Sequence, residues 1–143
     1  MPDLRVKALQ LLTRRDHSRA ELHKKLAPLA ESEDALEAVL DALQAERLLS
    51  DSRFASQRAS QRGSRYGNAR LRQELRQQGV NDEDITEALD GAGEEVERCR
   101  QVWAKKYGRP PESAEERAKQ LRFLQYRGFS GDSIRRVISG ADE

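Results

Sequence analysis

The chain holds one cysteine, one methionine, one tryptophan and four prolines in 143 residues, and only 5% of it is aromatic. Each shortage excludes something. Cys99 alone permits no internal disulfide, and without other cysteines or a His/carboxylate cluster it is a poor start for a metal site, so it reads as a partly buried thiol and no metal is expected. No stretch approaches the roughly 18 uninterrupted apolar residues of a membrane span, and the opening MPDLRVKALQ lacks the apolar core of a secretory signal; a cytoplasmic chain without membrane contact is expected. Catalytic patterns are missing too. There is no Walker loop, no GxGxxG and no paired carboxylates, and His17 and His23 have no Ser or Cys nucleophile pattern beside them and read as surface or capping residues. GSRYG at 63–67 reads as a loop and not a phosphate cradle. The expectation is a binding protein, neither an enzyme nor a cofactor carrier.

What is present is a repeat. LRQQGVNDEDITEAL (75–89) and LQYRGFSGDSIRRVI (124–138) share a frame in which Leu75, Gly79, Val80, Ile85 and Leu89 stand 49 residues before Leu124, Gly128, Phe129, Ile134 and Ile138. The same offset upstream meets Leu26, Leu36 and Leu40, with Ala30 in the glycine position. Such a period implies tandem units that bury their apolar faces by stacking.

Within a unit the apolar spacing is helical. Leu4, Ala8, Leu11 and Leu12 give one face, Leu22, Leu26 and Leu29 a second, and Leu36, Val39, Leu40 and Leu43 a third. Phe54 and Ala55, then Leu71 and Leu75, then Ile85 and Leu89 repeat the pattern; Val102 and Trp103, Leu121 and Leu124, and Ile134, Val137 and Ile138 repeat it again. With 36% hydrophobic and 36% charged residues and few aromatics, helices are favoured over strands. The predicted fold is all-α, an elongated chain of three tandem three-helix units at 1–49, 50–92 and 93–143. Ser18 with Glu21, Asp51, Asn81 or Asp82, and Ser130 are the predicted helix N-caps. Gly79 and Gly128 each follow a helix and precede an apolar residue, the sequence form of a left-handed helix end.

The formal net charge is only +1, yet the charges are sorted along the chain. Residues 4–29 carry seven bases against two acids and residues 30–51 one base against seven acids. Residues 52–78 carry seven Arg against Glu74, 80–97 eight acids and no base, and 98–127 nine bases against three acids. Arg58, Arg62 and Arg65 fall within about 60° on a helix at 100° per residue and have no acid three or four residues away. Arg70 can pair with Glu74, whereas Arg72 and Arg76 lack a partner on their own helix. Such a stripe repels itself unless acids elsewhere in the fold or an external anion offset it.

Three blocks, LSDSRFA (49–55), RYGNARLRQELRQQGV (65–80) and FLQYRGFSGDSI (123–134), together with LLTRRDHSRAEL (11–22), resemble the RecX family of RecA regulators. Asp51, Arg53, Phe54 and Ala55 match a DxRFA block. Gly67, Arg70, Leu71, Glu74, Leu75 and Gly79 match GxxRLxxEL and its end, and Arg127, Gly128 and Phe129 match RGF. Most of these are architectural, with Phe54, Leu71, Leu75 and Phe129 placed in the core by periodicity. The resemblance implies tandem three-helix units and binding of the RecA recombinase filament as a monomer. It also implies inhibition of RecA's ATP hydrolysis, coprotease and strand-exchange activities, in recombination, DNA repair and the SOS response, and some affinity for single- or double-stranded DNA. The solvent-facing bases Arg58, Arg62, Arg65, Arg72 and Arg76, then Arg122 and Arg127, are the candidate contacts. A helical DNA-binding module that acts by competition for DNA is the alternative, and a helical scaffold a third reading. Ala30 and the acidic ESED (31–34) after it mark the first unit as docking differently from the others.

Overall fold

A computed structural model describes residues 3–140; residues 1–2 and 141–143, at the outer ends of the first and third predicted units, lie outside it. Nine α-helices and no strand occur among the described residues. They are α1 (Leu4–Arg14), α2 (Arg19–Leu26), α3 (Glu33–Ala45), α4 (Asp51–Arg62), α5 (Asn68–Gln77), α6 (Asp82–Gly91), α7 (Glu95–Lys106), α8 (Ala114–Tyr126) and α9 (Gly131–Ser139). Each successive trio closes on a core of its own. Ala8, Leu22, Leu26, Leu36, Leu40, Leu43 and Leu49 fill the first; Phe54, Leu71, Leu75, Val80, Ile85 and Leu89 lead the second; Val102, Leu124, Phe129, Ile134, Val137 and Ile138 lead the third.

Short polar side chains start the helices. Ser18, Ser32, Ser50, Asn81, Ser113 and Ser130 each accept the backbone N–H three residues on, each cap worth about 1 kcal/mol. Ser50 thus caps α4, not Asp51 as the sequence predicts. Asp51 is the first helical residue, and its Oδ1 instead accepts the N–H of Arg19 at 2.7 Å, at the start of α2 in the preceding unit.

That contact recurs one unit on. Glu95, the first residue of α7, accepts the N–H of Asn68 at the start of α5 at 2.8 Å. It also takes Ser130 Oγ and Ser133 Oγ, at 2.7 and 2.8 Å. A helix start leaves its first N–H groups without a partner, and in α2 and α5 the following unit supplies one. Arg53 adds a second tie between the first two units, donating to Asp16 at 2.9 Å and to the carbonyls of Arg47 and Leu48.

The other half of each joint is the left-handed turn. Gly79 and Gly128 lie at φ 80° and 90°. Gly79 N–H bonds to Arg76 O and Val80 N–H to Leu75 O, and Gly128 and Phe129 do the same with Gln125 and Leu124. This is the predicted helix end, with the apolar neighbour folded onto the last turn. It is also a socket: a Cβ on Gly79 would lie 2.6 Å from Ala20 Cβ of α2, and one on Gly128 would fall on Arg70 Cβ of α5 and 2.9 Å from its N. Gly67 N–H and Ala69 N–H bond to the carbonyls of Arg127 and Gly128, and a Cβ on Gly67 would strike the Gly128 carbonyl. In the first unit Ala30 is extended (φ −83°, ψ 142°), after α2 runs into a 3-10 turn through Pro28, so no socket forms there. The left-handed turn appears at the end of α3, on Arg47 at φ 63°.

Because the cores stay separate, the exposed surface is 8912 Å², against ~7500 Å² for a compact monomer of 16.3 kDa. Solution scattering is expected to give a radius of gyration clearly above the ~14.5 Å of compact-domain scaling; a value at that figure would contradict separate cores in series.

Replacing Gly79 or Gly128 with Ala is expected to cost at least about 1 kcal/mol each, from the left-handed backbone alone, with the socket clash in addition. Gly131→Ala, with open space around its Cβ position, is the control. An unchanged melting temperature in both socket variants would remove the turn from the joint.

The two joint carboxylates differ in sign. Burial raises the Asp51 pKa, opposed by the Arg19 N–H and reinforced by nearby Asp84. Burial also acts on Glu95, but hydrogen bonds from Ser130, Asn68 N–H and Ser133 outweigh it and hold the carboxyl below its ordinary value. A depressed carboxyl stabilises the fold above its unfolded pKa and loses that contribution as pH falls through the folded one. A raised carboxyl does the reverse, and the fold gains as pH falls through its folded value. Glu95→Gln is therefore expected to destabilise at neutral pH by about 1–2 kcal/mol, less in acid, while Asp51→Asn is expected to leave the melting temperature unchanged or raise it. The opposite ranking at pH 7 would overturn this assignment.

Candidate partner-binding surface

Helices α4, α5 and α8 and the turns after α4 and α8 place the candidate contacts, and the fold separates them into two kinds. Arg62 is bound internally. Its Nε and Nη2 donate to the two carboxylate oxygens of Glu74 on α5 at 2.6 and 3.0 Å, which raises its pKa. Of the Arg58, Arg62 and Arg65 stripe, Arg62 meets an offsetting acid elsewhere in the fold, an alternative the sequence left open, and the helical arc is corrected at Arg65. Arg62 has its acid twelve residues away, beyond the reach of an i+3 or i+4 search. Arg65 lies past the end of α4, which stops at Arg62, so the 100° projection does not apply to it.

Arg70 completes the internal set, 3.5 Å from Glu74 and 4.2 Å over the Tyr66 ring. Arg76 pairs with Asp82 at the start of α6 at 3.1 Å, with both side chains mostly exposed. Arg58 lies over Phe54 at 5.2 Å and makes no ion pair among the described residues. Arg65, Arg72 and Arg122 make no side-chain ion pair among the described residues, and Arg65 and Arg122 are exposed. Arg127 Nη1 donates to the Arg65 carbonyl at 3.4 Å, and its guanidinium lies 5.0 Å over Phe123 and 5.4 Å over Tyr66.

Arg65 and Arg127 are brought together with two bases the sequence did not single out. Ser64, Arg65, Tyr66, Val102, Lys105, Lys106, Phe123 and Arg127 line a groove of about 360 Å³ between the second and third units. Lys105 and Lys106 read in sequence as ordinary bases in a last helical turn, which the helix dipole favours. Only the packing of α7 against α8 sets them facing Arg65.

The groove's rear wall is held by Arg98. Only 7% exposed, it donates to the carbonyls of Gly63, Tyr66 and Gly93 at 3.1, 2.8 and 3.3 Å and to Asn68 Oδ1. Burial lowers its pKa, and the guanidinium spends its donors on the 63–68 turn that carries Arg65. Cys99 beside it is fully buried, its thiol pushed up to about 12 by burial and then by Glu95, which leaves it a structural residue at neutral pH.

In the first unit His17 is a correction: it is 2% exposed, not a surface residue. Nδ1 bonds to the Arg15 carbonyl and Nε2 to Lys25 Nζ, both at 3.0 Å, and burial lowers its pKa. His23 approaches Glu33 at 2.6 Å and Glu37 at 3.6 Å. These three do form the His/carboxylate cluster that the sequence did not reveal, with ligand atoms within 4.8 Å of one another. Arg19 already pairs with Glu37, and with Asp41 at 2.8 Å, so the group acts as an ion-pair clamp between α2 and α3.

No helix among the described residues is long and apolar enough to cross a membrane. Models of the first, second and third three-helix domains of RecX match residues 5–43, 50–89 and 93–138. The chain is 49% identical over 137 residues to the regulatory protein RecX of Chromobacterium violaceum, covering 96% of this chain and 90% of that one. It is also 49% identical over 140 residues to that of Ralstonia nicotianae, covering 97% and 88%. The crystal structure of RecX from Lactobacillus salivarius shares the fold at a TM-score of 0.83 and 23% identity, over 97% of this chain and 94% of that one. A further crystal structure of regulatory protein RecX superposes at 0.78 with 26% identity, over 99% and 74%. With all three domain models matched in order along one all-helical chain, this protein belongs to the RecX family.

Proposed function

We propose that this chain is a non-enzymatic cytoplasmic regulator that binds the RecA filament as a monomer and inhibits its ATP hydrolysis, coprotease and strand-exchange activities, and so modulates recombination and DNA repair. The relatives' name, regulatory protein RecX, supports the regulatory part. The observation that carries the binding part is that Arg58, Arg65, Arg72 and Arg122 have no acid partner among the described residues, whereas Arg62, Arg70 and Arg76 of the same segment are held in ion pairs. Those charges await an external anion. The acidic helices α3 and α6 interrupt the basic ones, which suits the mixed charge of a protein surface better than a uniform phosphate backbone. A dedicated DNA binder carries a strongly basic total, and this chain carries +1.

The experiment is the recombinase's ATP hydrolysis on single-stranded DNA, titrated with the wild-type chain and with Arg72→Glu/Arg122→Glu, beside direct DNA binding. Inhibition by the wild type is expected. The variant is expected to inhibit several-fold more weakly with stability changed by no more than about 0.5 kcal/mol per site, and to keep its DNA binding. Loss of inhibition and DNA binding together would favour competition for DNA, and no inhibition by a stoichiometric excess of folded wild type would sink the proposal.

A further inference from the structure

The groove between the second and third units gathers bases from three elements: Arg65 from the turn after α4, Lys105 and Lys106 from the end of α7, and Arg127 from the end of α8. No acid lines it. The dipole of α7 accounts for Lys105 and Lys106, but not for Arg65 and Arg127 converging on them from other elements. Lys106 and Arg127 lie over Phe123 at 5.4 and 5.0 Å, whereas Arg65 and Lys105 project into solvent without a side-chain partner. The floor is apolar, formed by Val102 and Phe123.

We propose that this groove is a docking site for an acidic protein segment, which sets carboxylates against Arg65, Lys105 and Arg127. The proposal rests on the filament-regulator reading and names the chemistry of the surface that such a regulator grips. A carboxylate fits the planar fork of Arg127. Single-stranded nucleic acid binds by stacking bases on bare rings, and here the rings are taken. Arg62, Arg70 and Arg127 lie over Tyr66 at 4.6, 4.2 and 5.4 Å. Phe123 carries its two bases and meets Tyr107 edge-on at 5.7 Å. The cations are also gathered in one groove and not strung along a backbone-length track.

The test uses the full chain, the groove variant Arg65→Glu/Lys105→Glu, and a control of equal charge change in the first unit, Lys7→Glu/Lys24→Glu. Three readouts are taken: anisotropy of a fluorescein-labelled peptide alternating glutamate with leucine, anisotropy of a fluorescein-labelled oligothymidine, and inhibition of the recombinase's ATP hydrolysis. The groove variant is expected to lose peptide affinity and inhibition by about tenfold, the size of one lost charged contact. The control and the charge-conserving Arg65→Lys/Lys105→Arg are expected to stay near wild type, and oligothymidine binding is expected to be equal in all. Peptide binding unchanged in the groove variant would overturn the proposal. Loss of oligothymidine binding with inhibition, the peptide unaffected, would make the groove a nucleic-acid track and overturn it equally. If the wild type fails to inhibit the recombinase yet binds the peptide through the groove, the regulator reading falls and the docking site stands.

Discussion

The first N–H groups of an α-helix have no partner inside the helix, and this chain meets that deficit for α2 and α5 with a carboxylate borrowed from the next unit, Asp51 or Glu95. The relative placement of the units follows from this bond, the glycine socket beside it, and the ties that Arg53, Gly67 and Ala69 add. A helix start is fixed in position and direction when its N–H meets a carboxylate on one side and its second or third residue fills a glycine's missing Cβ on the other. Three thin cores that share no apolar contact large enough to hold them in line are thus aligned by polar and steric joints.

The same joints build the groove. Gly67 and Ala69 hang α5 on the carbonyls after α8, Glu95 ties α7 to both α5 and α9, and Arg98 pins the 63–68 turn from behind. Arg65 and Lys105 are therefore placed by contacts that neither side chain makes, while Arg127 accepts the Gly67 N–H on its carbonyl and donates to the Arg65 carbonyl. Their charges are left over after the structure has used Arg53, Arg62, Arg70 and Arg98 for itself.

The division between used and unused arginines marks the limit of what the sequence disclosed. Core positions and the Gly79 and Gly128 turns were legible because they rest on local rules: helical period, cap chemistry and the left-handed C′ position. The joints were not, because Asp51 and Glu95 stand 44 residues apart and fall outside the 49-residue frame in which the glycines repeat. The Arg62–Glu74 pair escaped for the related reason that it crosses between helices, and the His17–Lys25 contact because it spans eight residues. Of the groove, Arg65 stood out as a base without a nearby acid and Arg127 as a solvent-facing base of the RGF block; Lys105 and Lys106 did not, since a basic last turn needs no further reason.

Ala30 sits where the later units have their socket, and the first residue of α1 is Leu4, where the later units have an acid. The joint is thus directional: a unit can present a socket and a carboxylate to the unit before it, and the first unit presents neither. A duplicate of the second unit spliced in behind itself would find both halves of the joint waiting. The same duplicate spliced in ahead of the first unit would have nothing to hold. The array can be lengthened by design only from within or from its C-terminal side, in the manner of a zip whose slider enters from one end.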